Sequence, residues 1–422
     1  MTNPNAEAAS KARQGGVRAF VVVVLPFSCG YYVSYLYRSV NAVIAPQLVA
    51  EFGLDAADLG FLTAAYFFSF GVVQLPLGVV LDRYGPRTVL AVLLAIAAAG
   101  SVLFGVGNSM FALVAGRSLI GLGVSATMMG SFKAITLWFP QGRWPVINGV
   151  FMAMGGAGAM SATTPIEALL AFTDWRGIFL AMAAVTAGVA VLILLVVPER
   201  RDEAEADQQV GQIEGLKVIY RDRFFWRVAP LTFICQATQL AILGLWSGPW
   251  LRDVAGLDRG GVATSLFIIA AGLTLGFAGL GLLANLAERC GMALIRFTGT
   301  GILVMMAALA AIVFEAAPGS VWPWFIFGFM SNVAVLNLPV LSRYFPLSYS
   351  GRVFTSVNLF VILGAFAVQS GIGAIIDLWP VTAHGGYDRE AYRVAFGAML
   401  GLEALAFLWF LVPHERRAGR RA

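Results

Sequence analysis

Charge is scarce in this chain of 422 residues: 12% are Asp, Glu, Lys or Arg, against roughly 25% in an ordinary soluble domain. Hydrophobic residues make up 59%, and the mean hydropathy is +0.80. No soluble core of this length could hide so much apolar surface, whereas a lipid-facing exterior removes the difficulty. Cysteine is scarce too, and Cys29, Cys235 and Cys290 lie in or beside apolar runs without metal-ligand spacing or a disulfide framework. The two histidines, His384 and His414, fall outside those runs, which argues against a buried histidine proton relay. No phosphate loop is present. The glycine-rich GGAGAM at Gly155–Met160 lies inside an apolar run and lacks the Lys and Ser or Thr that such a loop needs. No metal, cofactor or enzymatic chemistry is therefore expected.

What is present is a series of apolar runs. They predict an all-α integral membrane protein with twelve spans: Arg18–Pro46, Ala57–Leu81, Thr88–Gly107, Phe111–Trp138, Trp144–Phe172, Ile178–Val197, Phe225–Leu251, Val262–Leu286, Met292–Phe314, Trp322–Phe345, Val353–Leu378 and Tyr392–Leu411. The 47 glycines and 17 prolines then read as close helix packing and locally broken helices. Residues 198–223 interrupt the pattern with a charged stretch, PERRDEAEADQQ, and then LKVIYRDRFFW, whose second part reads as a short amphipathic interfacial helix. The chain thus divides into a polar tail at 1–17, a first bundle of six spans at 18–197, a linker at 198–223, a second bundle at 224–412 and a basic tail at 413–422. Twenty of the 28 Lys and Arg residues fall on the side of the termini; Arg176, Arg252, Arg259, Arg389 and Arg393 fall on the other. The positive-inside rule places both termini in the cytoplasm, which also explains the net charge of +5 without nucleic acid.

The halves echo one another. GVVLDRYGPR, Gly78–Arg87, follows span two, and ANLAERCG, Ala284–Gly291, follows span eight, so an acid, an arginine, any residue and a glycine recur at one place in each half. Asp82, Arg83, Gly85 and Arg87, with Glu288 and Arg289, are candidate gating residues whose contacts would break when the protein changes state. The bland alternative is a charged turn that fixes topology.

Three cations lie within spans. Arg38 sits deep in span one, where a guanidinium facing lipid would cost several kcal/mol, so it should face a wet cavity or a partner. Lys133 in span four poses the same question, or snorkels toward the surface. No Asp or Glu is evident at mid-membrane in the first six spans to neutralise either, and such a site would welcome an anion. Tyr32, Tyr35 and Asn41 are candidate neighbours, since three- and four-residue spacings keep Tyr35, Arg38 and Asn41 near one face. In the second half the candidates are uncharged: Gln236, Gln239, Asn332, Asn337 and Asn358, with Trp246, Ser247 and Gln369 also polar within spans. Each could orient a ligand or make an interhelical hydrogen bond. Arg117, followed by Gly121 and Gly123, is the third cation and a candidate for coupling, with snorkelling as the alternative. Glu167, after Pro165, is a candidate proton carrier; Asp377 and Glu403 are placed similarly.

Gly78-x-x-x-Asp82-Arg83-Tyr84-Gly85-x-Arg87 resembles the signature between helices two and three of the major facilitator superfamily, and Arg117-x-x-x-Gly121-x-Gly123 resembles its fourth-helix motif. The likeness covers essentially the whole chain and implies two pseudo-symmetric six-helix bundles with alternating access from a central cavity. Tyr31-Tyr32, Arg38, Asn41 and Pro46 are similar to helix one of the organophosphate and anion–cation symporter branches, and Trp246-Ser247-Gly248-Pro249 resembles the end of helix seven in the organophosphate exchangers. Their second basic residue in helix seven is replaced here by the neighbourhood of Gln239 and Leu240, which favours a carboxylate over a dianionic phosphate ester. The expectation is a secondary transporter of a bacterial inner membrane, coupled to protons and monomeric, that takes up a small organic anion. Export of amphipathic or siderophore-like compounds, for which Met128, Met129, Met152 and Met154 would suit a broad cavity, is the rival. A receptor that binds without translocating is the remaining alternative.

Overall fold

The computed structural model describes residues 19–140, 143–199, 212–345, 350–382 and 385–412; the tail predictions at 1–17 and 413–422 lie outside them, as does most of the charged first part of the linker. The helices are α1 (Leu25–Ser39), α2 (Asn41–Phe52), α3 (Ala56–Tyr84), α4 (Pro86–Val106), α5 (Met110–Val124), α6 (Thr127–Trp138), α7 (Trp144–Ser161), α8 (Thr164–Leu169) and α9 (Trp175–Val196). In the second half they are α10 (Gln212–Arg221), α11 (Arg223–Ala241), α12 (Ser247–Asp253), α13 (Arg259–Arg289), α14 (Leu294–Val313), α15 (Trp322–Met330), α16 (Asn337–Tyr344), α17 (Ser350–Ile376) and α18 (Arg389–Leu411). Among the described residues, eleven helices are long and apolar enough to cross a membrane. The protein is a multi-pass, all-α integral membrane protein.

The predicted fifth span is the run missing from those eleven, and its helix is interrupted: α7 ends at Ser161 and α8 starts at Thr164, with Pro165 in its first turn, where a missing N–H costs nothing. Other spans depart from regular geometry. Span one opens with a π-helical turn at Phe20–Val24 and runs past Pro46 to Gly53, beyond the predicted end at Pro46. Span seven carries a π-helical segment at Ile242–Trp246 between α11 and α12. Span ten is split by a 3₁₀ turn at Val333–Leu336. Such irregular backbone is tolerated at membrane depth where it faces protein or a cavity.

The scarce acids are used at helix starts. Asp55, Asp174, Asp222, Asp258 and Asp388 each accept a hydrogen bond from a backbone N–H of the first turn that follows, at 2.6–2.9 Å, satisfying donors that would otherwise lack partners. The internal repeat has a structural counterpart: Gly85 and Gly291 both adopt positive φ, 78° and 83°, at equivalent corners, a backbone state that favours glycine.

Across the two halves α3 packs along α17, and α7 along α13. A Cβ on Gly248 would lie 2.3 Å from the Ala42 carbonyl oxygen, and one on Gly373 would lie 2.4 Å from that of Ala56. These backbone-to-backbone approaches lie toward the face opposite the chain termini.

Candidate functional site

Between the halves lies a cavity of about 450 Å³. Spans one, two, four, five, seven, eight, ten and eleven line it, contributing among others Tyr31, Tyr35, Arg38, Phe70, Gln236 and Phe277. It extends from Arg38 toward the face of the termini, where Pro339 and Phe354 form its wall.

Arg38 occupies the last turn of α1. Its guanidinium carbon lies 4.8 Å from the centroid of the Tyr35 ring, 5.7 Å from Phe70 and 5.9 Å from Phe67, a cation held by π-faces in place of an acid. Among the described residues, no carboxylate pairs with it. Tyr35 continues into an aromatic chain: its ring is edge-on to Tyr31 at 5.0 Å and to Phe277 at 5.9 Å, and Tyr31 stacks on Phe151 at 4.3 Å. The Tyr31 hydroxyl is also 3.4 Å from the Met152 sulfur.

Of the candidates read from the sequence, the cavity brings together Arg38, Tyr35, Gln236, Gln239, Asn332 and Asn358. It leaves Tyr32, Asn41, Lys133 and Asn337 out of its lining. Lys133 is half-buried on α6, beside Phe132, which does line the cavity. Tyr32 is half-buried at a close approach of α1 to α7, its carbonyl oxygen 2.2 Å from where a Gly158 Cβ would stand. Asn41 is buried at the start of α2. Asn337 is fully buried and joins three spans: it donates to the Thr232 hydroxyl at 3.1 Å and accepts from Thr298 at 2.8 Å, the interhelical role that was its alternative reading.

Arg117 lies within the first half, 1% exposed. It donates to the Tyr37 carbonyl oxygen at 3.1 Å, with the Phe104 and Phe179 rings at 5.1 and 5.4 Å. Glu167 is at the face opposite the termini, paired at 3.1 Å with Arg259 of the other half, and Thr164 donates to the Ala263 carbonyl oxygen nearby at 3.2 Å. On the same face the carboxyl of Asp377 is raised above its ordinary value, first by desolvation and then by Asp55 and Asp58. Glu403 is fully buried in α18, facing Thr238 of α11, away from the cavity.

At the opposite corner, Arg87 donates to the Leu194 carbonyl oxygen of its own half and lies 3.8 Å from Glu199 at the start of the linker. Arg83 is exposed with its guanidinium 5.4 Å from the Tyr84 ring. Glu288 is half-buried and Arg289 exposed. The Asp82 side chain lies outside the described residues.

Sequence reasoning missed Ser34, Phe70, Thr127, Thr232 and Phe277 in the lining. An apolar or hydroxyl residue inside a span carries no mark of whether it faces lipid, a neighbouring helix or the cavity. Trp246 and Ser247, polar candidates of span seven, are fully buried; Trp246 donates to the Gln369 carbonyl oxygen of span eleven at 3.3 Å, and a Cβ on Gly60 of the first half would lie 3.4 Å from its ring.

The sequence matches the Major Facilitator Superfamily over residues 27–369. It is 27% identical over 409 residues to a probable sulfoacetate transporter of Cupriavidus necator, spanning 90% of this chain and 91% of that protein. It is 26% identical over 240 residues to the hexuronate transporter of Escherichia coli, spanning 52% of this chain and 54% of that one. Among solved structures, the fold is similar to a bacterial homolog of the human lysosomal transporter Spinster in an inward-facing, occupied conformation, with a TM-score of 0.73 at 17% identity, covering 92% of this chain and 95% of that one. A D-xylose–proton symporter is similar with a TM-score of 0.69 at 17% identity, covering 93% and 97%. With a family match across most of its length and a cavity set between packed helical halves, the chain belongs to the Major Facilitator Superfamily of membrane transporters.

Proposed function

We propose that the protein takes up a small organic anion, a carboxylate, by proton-coupled alternating access across a bacterial inner membrane, with both termini cytoplasmic. The observation that carries this reading is Arg38: a guanidinium facing the cavity between the halves, held by aromatic faces, with no carboxylate partner among the described residues. A ligand carboxylate would complete it through charge-assisted hydrogen bonds. Gln236, Gln239, Asn332 and Asn358 on the opposite wall would orient the rest of the ligand. The names of the two relatives, for sulfoacetate and hexuronate, agree with an anionic substrate.

In this reading the broken run at 144–172, the fifth in chain order, also spans the membrane and brings the spans to twelve, in two six-helix bundles that act as a monomer. The close contacts at Gly248, Gly373 and Glu167–Arg259 close one face while the cavity reaches toward the other. Arg117 would transmit the change of state within the first half, and Glu167 would act at the closed face. The Asp82–Arg87 corner and its counterpart at Glu288 and Arg289 would form contacts in the alternative state.

The test is uptake of labelled organic anions into proteoliposomes, with and without an inward proton gradient, for wild type and Arg38→Gln. Gradient-stimulated, saturable uptake that collapses in the variant is expected; transport indifferent to Arg38 would remove the clamp assignment. Export of amphipathic compounds is the second reading, favoured by Met128 and Met152 in the cavity wall. Activity confined to neutral or cationic compounds would select it.

A further inference from the structure

Resting on the anion reading of the cavity, we infer that the substrate is a monocarboxylate with an aromatic body, and that Tyr35 and Phe277 select it. Among the described residues, Arg38 is the one Lys or Arg in the lining, so a second ionised group on the ligand would be desolvated without a counter-charge. The surface around that cation is predominantly apolar. Phe70, Phe132, Phe277, Met128 and Met152 line it on the side of spans two, four, five and eight, and an aliphatic wall from spans ten and eleven faces them. A sugar acid would place several hydroxyls against these groups, leaving them unpaired on leaving water, whereas a ring would bury apolar surface there.

The geometry gives the ring a place. Tyr35 lies under the Arg38 guanidinium at 4.8 Å and is edge-on to Phe277 at 5.9 Å with planes at 81°. An acid bound to Arg38 would therefore carry its body along the wall that runs through Tyr35 to Phe277. Edge and face contacts with these rings, and sulfur–aromatic contacts with Met128 and Met152, are the interactions such a wall supplies. The amides Gln236, Gln239, Asn332 and Asn358 leave room for one or two polar ring substituents.

The experiment is uptake by proteoliposomes of labelled phenylacetate, propionate, glucuronate and sulfoacetate, for wild type, Phe277→Leu and Arg38→Gln. Phe277→Leu keeps an apolar side chain but removes the ring. Wild type is expected to favour phenylacetate over glucuronate and sulfoacetate, and Phe277→Leu to lower the ratio of phenylacetate to propionate uptake about 3- to 10-fold, the range of an aromatic pair. Glucuronate or sulfoacetate preferred over phenylacetate, or an unchanged ratio in Phe277→Leu, would overturn the inference while leaving an anion transporter. Transport of neutral compounds alone, untouched by Arg38→Gln, would overturn the anion reading itself and this inference with it.

Discussion

Arg38 and Arg117 are two arginines of the same bundle, both set among aromatic rings inside the membrane, and they are placed for different work. Arg117 is enclosed: it is 1% exposed, donates to a backbone carbonyl at 3.1 Å and has phenylalanine rings at 5.1 and 5.4 Å. Behind it, the Tyr37 and Thr186 hydroxyls are 3.0 Å apart, so the helices around it form a continuous packed unit. Arg38 has aromatic support of the same kind but faces the cavity. A buried cation is thus not by itself a ligand site; neither arginine has a paired acid among the described residues, and access to the cavity is what distinguishes Arg38.

The comparison can be broken by substitution. The largest effect is expected for Arg38→Gln, which should lower anion uptake about 10- to 100-fold, the worth of hydrogen bonds between charged partners, in a vesicle assay at matched protein. Arg38→Lys keeps the charge but loses the planar fork and its stacking on Tyr35, so uptake should fall less, about 3- to 10-fold, in the same assay; wild-type rates would mean that charge alone suffices. Arg117→Gln should act first on stability, costing about 2 kcal/mol through a lost charged hydrogen bond and ring contacts, seen as a lower midpoint in detergent thermal unfolding. If stability held while proton coupling disappeared, Arg117 would be a coupling residue and the contrast would need redrawing. Glu167→Gln should matter least. Arg259 is 65% exposed, and exposed pairs are worth under about 1 kcal/mol, so labelling of a cysteine on that face should change less than about 5-fold.

Much of the fold was legible because lipid imposes a strong rule: backbone polar groups must be satisfied within the span, and apolar length reveals it. The spans, the corner glycines Gly85 and Gly291 and the depth of Arg38 within span one follow from residue type and spacing. Helix irregularities followed less well. Pro46 looked like an end and lies inside a helix, while Ala162–Thr163 interrupts a run that read as continuous, because neighbouring helices decide whether a local break is accepted. The candidate site divided in the same way: Asn337 and Asn332 look alike in sequence, yet one joins Thr232 to Thr298 and the other lines the cavity.

The sequence alone determined that this chain lives in a bilayer, where most of its helices begin and end within a few residues, and that a guanidinium lies at a depth where it needs a reason. Only the tertiary structure decided which polar groups share the cavity, that Glu167 meets Arg259, and that Arg117 is enclosed by its own bundle. The physical reason is that hydropathy and helical period act along one chain segment, whereas the partner of a side chain is set by the packing of segments far apart in sequence.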